Sequence, residues 1–125
     1  MAEAYLRFFG NDQFEAYSAG VTPSTIHPLT KIVMQEDQID ISQQYSKALD
    51  EIPVRKLDLL VTLCGHAQAN CPSLPITLKK EHWPIDDPIG FLGSEEERLK
   101  KFRQTRDTIR SRISDFIKIT QTAKD

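Results

Sequence analysis

Apolar positions along the chain fall into short groups with two different periods. Residues 2–9 read as a short helix, with Gly10, Asn11 and Asp12 as stop and turn signals. No capping side chain precedes it to satisfy its first N–H groups, so it looks like the tail of a longer helix. Residues 14–18 form a strand candidate ending at Gly20, and residues 21–26 a loop rich in Thr, Ser and Pro. Pro28 suits a first helical turn, and Leu29, Ile32 and Val33 place an apolar face on a helix reaching about Asp37. Ile39 and Ile41 cover its exit, and residues 46–51 read as a further helical turn. Residues 58–64, written DLLVTLC, are an unbroken apolar run between polar residues, the pattern of a strand buried on both faces. After a loop of small and polar residues at 65–75, residues 81–85 read as another strand, closed by the Asp86-Asp87-Pro88 turn. Ser94 and Glu97 form a capping box that starts a long helix to roughly Ile119. Strands alternating with helices predict an α/β fold, a three-layer sandwich built on a parallel sheet.

The 125 residues, 39% of them hydrophobic, suit a single domain over residues 1–125. No apolar run approaches the roughly 20 residues that span a bilayer, so no membrane association is expected. Glu3 and Arg7 interrupt the apolar opening, which does not read as a secretion signal, and a cytoplasmic location is expected. The net charge of -2 is uneven: residues 94–125 hold 9 basic and 6 acidic side chains, against 7 and 12 in residues 1–93. Those basic residues alternate with Leu99, Phe102, Ile109, Ile113 and Phe116 at helical spacing. They read as the solvated side of one amphipathic helix, with no interleaved aromatic to stack a base, and no nucleic-acid partner is expected.

The candidate chemistry is concentrated after the apolar strand. Two cysteines are too few for a secreted disulfide scaffold, so Cys64 and Cys71 are either inert thiols or a chemically used pair. Cys64 stands at the carboxyl end of the strand, where open parallel sheets place ligand crevices. A disulfide between the two would close a small ring, worth on the order of 2.5 kcal/mol on a loop-entropy estimate. Cys64, His66, Cys71 and His82 follow no familiar zinc spacing, and no metal is expected. Asp86 and Asp87 could serve as a general acid or base beside Cys64, or simply bond nearby N–H groups in a turn.

Taken together, VTLCGHAQANCPSLP at 61–75 and KKEHWPIDDP at 79–88 closely resemble the thioredoxin-coupled arsenate reductases, which have the low-molecular-weight tyrosine phosphatase fold. MAEAY at 1–5 and YSAG at 17–20 match the same family in order and spacing, so the resemblance covers essentially the whole chain. It implies a cysteine relay. A nucleophilic cysteine in a Cys-x5-Arg loop attacks arsenate, a second cysteine attacks the adduct as arsenite departs, and a third attacks the resulting disulfide. By resemblance Cys64 is the second and Cys71 the third, which leaves a Cys64–Cys71 disulfide for thioredoxin to reduce. Asp87 matches the aspartate that assists proton transfer, and no bound cofactor is implied. Some members also bind a potassium ion at positions matched by Glu3 and Ser18, but Lys47 stands where they carry an acidic ligand, so no metal is expected here either.

The chain departs from the family at one place. Asn70 lies six residues after Cys64 and Thr77 six after Cys71, so neither cysteine opens a Cys-x5-Arg loop. In the family that loop, with the first and central strand, lies just before the MAE segment. The expectation is therefore an N-terminally truncated domain, inactive alone, whose natural form continues ahead of Met1. The alternative is a non-catalytic remnant that keeps only a dithiol exchangeable with thioredoxin.

Overall fold

A computed structural model describes residues 1–10, 14–19, 26–42, 44, 47, 51–53, 56–63, 79–85, 88 and 91–124. Its elements are α1 (Ala2–Gly10), α2 (Pro28–Glu36), β1 (Leu59–Thr62), β2 (Lys79–His82) and α3 (Glu95–Lys124). The fold is α/β, and its two described strands run parallel, with Leu59 opposite Lys79 and Thr62 opposite His82. Backbone pairing continues beyond β2: the Trp83 N–H donates to Thr62 O and the Ile85 N–H to Leu63 O, each at 2.9 Å.

Local chemistry sets the helix ends. The Tyr5 N–H donates to the Met1 carbonyl at 3.1 Å, so residue 1 already accepts the first bond of α1. α2 has Pro28 in its first turn, and the His27 side chain caps it, Nδ1 accepting the Leu29 N–H at 3.1 Å. It ends at Glu36 with Asp37 as its C-cap, and Gln38 just beyond, with a φ of 62° in the left-handed region, turns the chain away. Ser94 Oγ accepts the Glu97 N–H at 3.1 Å, the expected cap of α3, and the helix runs five residues beyond the predicted Ile119, to Lys124.

The three helices and the sheet meet in one apolar cluster. Ala4 and Tyr5 of α1, Met34 of α2, Ile39, Ile41, Trp83 and the α3 residues Ile109, Ile113 and Ile117 are buried together, with Val61, Leu63 and Ile85 against them. The four-residue spacing of Ile109, Ile113 and Ile117 puts them on one helix face. A second cluster of Leu29, Val33 and Phe102 seats α2 on α3. At its rim, Arg103 holds Glu36 through three hydrogen bonds of 2.6 to 3.1 Å, and Arg106 reaches both Glu36 and the Val33 carbonyl at 2.9 Å. The Arg103 bonds hold the Glu36 carboxyl below its ordinary value, with Arg106 adding to the effect. Arg103 and Arg106 of α3 thus serve as a clamp on α2.

Three strand expectations need correction. Residues 14–19 carry no ladder pairing. They are tied down by side chains instead, the Arg7 guanidinium donating to Ala16 O at 2.7 Å and Ser18 Oγ to Glu3 at 2.7 Å. β1 is four residues long and half-buried throughout rather than buried on both faces, because among the described residues only β2 pairs with it. β2 begins at Lys79 rather than at residue 81, since parallel register with β1, and not apolarity, selects it. The helical turn expected at 46–51 lies almost wholly outside the described residues. No described helix is long and apolar enough to cross a membrane.

Tyr5 ties α1 to the end of α2. It is fully buried, and its hydroxyl donates to Asp37 Oδ2 at 2.7 Å while Arg110 donates to both oxygens of the same carboxylate. Burial, and then the bond to Asp37, push the phenol well above its ordinary value of 10. A raised acid of this kind contributes stability that is fully present below pH 10 and is lost as pH rises through the folded value. Tyr5→Phe is expected to cost about 1–2 kcal/mol at neutral pH. It should also flatten the decline that the parent protein shows above pH 10. Thermal melts from pH 7 to 11 check both.

Candidate functional site

β1 and β2 end side by side, which sets the carboxyl edge of the sheet. From this edge the chain continues into all three residues expected to carry chemistry. Cys64 is two positions after Thr62, Asp87 five after His82, and Cys71 lies in the connection between the strands. Cys64, Cys71 and Asp87 themselves lie outside the described residues, as does Asp86. The described geometry stops one residue short of Cys64, at Leu63, whose carbonyl is held by Ile85.

One interaction at this edge was not anticipated from the sequence. Thr62 Oγ1 and His82 Nδ1 lie 2.7 Å apart across the register pair that ends the two strands. His82 entered the sequence reading only as a weak metal ligand. The signal that could have found its partner is the parallel register, which no local pattern reveals. Farther along the same edge, Pro88 O accepts the Phe91 N–H at 3.2 Å, and Leu92 is 91% exposed just ahead of α3.

A second polar centre lies under α1. Glu3 is buried, with its side chain 5% exposed, and it gathers three partners. Ser18 Oγ donates to Oε1 at 2.7 Å, Arg7 Nε to Oε2 at 3.2 Å, and Lys47 Nζ approaches Oε1 at 3.5 Å. A buried carboxylate needs such company, because an unpaired charge is costly to take out of water. Glu3 and Ser18 are the positions that the resemblance associates with potassium, and here an ammonium stands against them. These residues do not fit a monovalent cation: it would sit beside the like charge of Lys47 and compete for the same oxygen. Replacing sodium chloride by potassium chloride at equal ionic strength should leave the melting temperature unchanged. Lys47→Asp should lower it and make it respond to potassium, and paired melts in the two salts check this.

The relationship of the chain to known proteins follows from its whole length. The profile of the family described as low molecular weight phosphotyrosine protein phosphatase matches residues 1–125. The chain belongs to this family. Within it, the arsenate reductase of Halalkalibacterium halodurans is 40% identical over 116 residues, which are 93% of this chain and 84% of that protein. A solved arsenate reductase in its oxidized state superimposes with a TM-score of 0.78 at 28% identity, covering 93% of this chain and 84% of the other. Another, in its reduced state, gives 0.73 at 27% identity, covering 95% and 86%. The phosphatase-family fold thus accounts for the parallel sheet and for helices packed as α1 and α3 are.

Proposed function

We propose that this chain is an arsenate reductase-type oxidoreductase of the cytoplasm, in which Cys64 and Cys71 form the redox-active disulfide and thioredoxin is the reductant. The observation that carries the reading is a cysteine pair that follows the last residue of β1 by two and nine positions in sequence, in a chain 40% identical over 93% of its length to an arsenate reductase. Relatives solved in oxidized and reduced states add support, because a protein that cycles between thiols and a disulfide has two such states.

The electrons balance in this relay. Arsenate gains two electrons in becoming arsenite, and two thiols lose them in forming one disulfide. Cys64 breaks the arsenic–sulfur bond by attacking the sulfur of the nucleophilic cysteine. Cys71 then attacks Cys64, which frees the first cysteine and forms Cys64–Cys71. The two thiols of thioredoxin restore the pair and become a disulfide themselves. Asp87 assists proton transfer to the departing oxygen. No bound cofactor takes part.

Within these 125 residues neither cysteine begins a Cys-x5-Arg loop. The reading therefore assigns them the resolving half of the chemistry. Such a loop supplies backbone N–H groups and an arginine to a tetrahedral oxyanion, and a thiolate to attack it. Its lack within these residues favours a second reading, a non-catalytic chain that keeps only the exchangeable dithiol.

The experiment is NADPH oxidation by the protein isolated from its natural source, with thioredoxin and thioredoxin reductase present. Arsenate-dependent consumption supports the first reading. Reduction of the disulfide without arsenate turnover supports the second, and failure of both overturns the assignment.

A further inference from the structure

Where the chain leaves β2 it passes alongside α3, and a groove of about 680 Å³ opens between them, a volume within the range of small-molecule sites. Trp83, Pro84 and Ile85 line one side, and Asp107, Arg112 and Asp115 of α3 bring charge to the other. None of these residues has a part in the cysteine relay proposed above.

The three charges differ in what already holds them. Asp107 is engaged, accepting from Arg106 Nε at 2.9 Å. Arg112 lies over the Trp83 ring, its guanidinium carbon 5.1 Å from the ring centroid, and Trp83 is itself buried and packed against Phe116 at 5.7 Å. Stacking fixes the guanidinium plane but uses none of its five N–H donors. Spacing of i, i+3 brings the Cβ atoms of Arg112 and Asp115 to about 5–6 Å, yet among the described residues the two form no ion pair with each other or with a third group. The guanidinium is turned to the indole instead. The groove thus presents a preorganised cation and an uncommitted carboxylate one helical turn apart, beside the apolar surface of Pro84 and Ile85.

A simple anion at Arg112 would also meet the like charge of Asp115, and a simple amine at Asp115 would meet that of Arg112. A ligand carrying both charges satisfies both. We propose that this groove binds a small zwitterion of dipeptide size, its carboxylate on the Arg112 guanidinium, its ammonium on Asp115 and its side chains against Pro84 and Ile85. Two residues of extended chain span about 7 Å, which matches charges that stand one turn apart on a helix.

Trp83 is the one tryptophan of the chain, so its fluorescence reports on this groove. The probe is leucyl-leucine, titrated into the full reduced chain with Trp83 emission and calorimetry as readouts. A saturable change with a dissociation constant of about 1 mM is expected. Acetylating the amine, or converting the carboxylate to an amide, should each weaken binding about tenfold, the loss of one charge-assisted contact. Arg112→Gln should bind the free and amidated dipeptides equally, and Asp115→Asn the free and acetylated ones, with melts little changed because both side chains are exposed. An emission change that does not saturate by about 10 mM, ten times the expected constant, overturns the proposal. Equal binding of the three dipeptides by the parent does so as well. Inorganic phosphate binding as tightly as the free dipeptide would assign a plain anion site and overturn it too. The comparison of the three dipeptides needs no substitution, so it decides even where a variant fails to fold.

Discussion

Cys71→Ser is expected to abolish the intramolecular disulfide and, with it, all thioredoxin-dependent NADPH oxidation driven by the oxidised chain. The parent pair is separated by a short segment of small and polar residues, so closing the ring should cost little chain entropy, and oxidation is expected to go to completion inside one molecule. With Cys71 gone, Cys64 has no second thiol among these residues. Oxidation must then stop at a sulfenic acid or reach a disulfide between two chains. Non-reducing electrophoresis and thiol counting separate these outcomes from the parent's internal bridge. Cys64→Ser should lose the internal bridge just as completely, because each thiol is half of one bond. An internal disulfide persisting in either variant would remove the basis for pairing these two residues.

Phe102→Ala is expected to produce the largest loss of stability of any substitution in α3, about 3–5 kcal/mol. Phe102 is fully buried, packs with Leu29 and Val33, and lies 4.9 Å from the His27 ring that caps α2. Truncation would open a cavity at the contact between α2 and α3 and loosen the capping imidazole along with it. Since whole domains are stable by only about 5–15 kcal/mol, a loss of this size brings the chain close to unfolding at room temperature. Ile119→Ala is the matched control, because Ile119 is 70% exposed and its truncation should change stability by less than about 0.5 kcal/mol. Urea titrations followed by circular dichroism measure both. A Phe102→Ala cost as small as that of Ile119→Ala would mean that the α2–α3 contact is not a packed core.

How much of this was legible in the sequence depends on the range of the interaction that decides each feature. The helices were readable because their signals are local. Pro28 at a first turn, Ser94 three residues before Glu97, and apolar residues spaced by three and four all act within one or two turns. Strands were read less well, because a strand is completed by its neighbour. Residues 14–18 alternate suitably yet pair with nothing among the described residues, and Lys79 and Lys80 are exposed lysines that enter β2 through register with Leu59 and Leu60. The same limit hid the Thr62–His82 contact, which joins residues 20 positions apart. Resemblance drew attention to Glu3 and Lys47, but that their charges meet at 3.5 Å is a finding of the fold. The family resemblance was legible because the cysteine segment is specific where single residues are not. Its site residues Cys64, Cys71 and Asp87 nonetheless rest on that resemblance, on identity to arsenate reductases and on the strand ends from which they extend.

The most direct test of the proposed cysteine pair is the intact mass and peptide map of the purified chain after mild oxidation, before and after addition of reduced thioredoxin. The account predicts a chain lighter by two hydrogens, a single bridge joining the peptides that contain Cys64 and Cys71, resistance of both thiols to alkylation, and full return to the reduced mass with thioredoxin. Two freely alkylated thiols after oxidation, or a bridge that thioredoxin leaves intact, would contradict it.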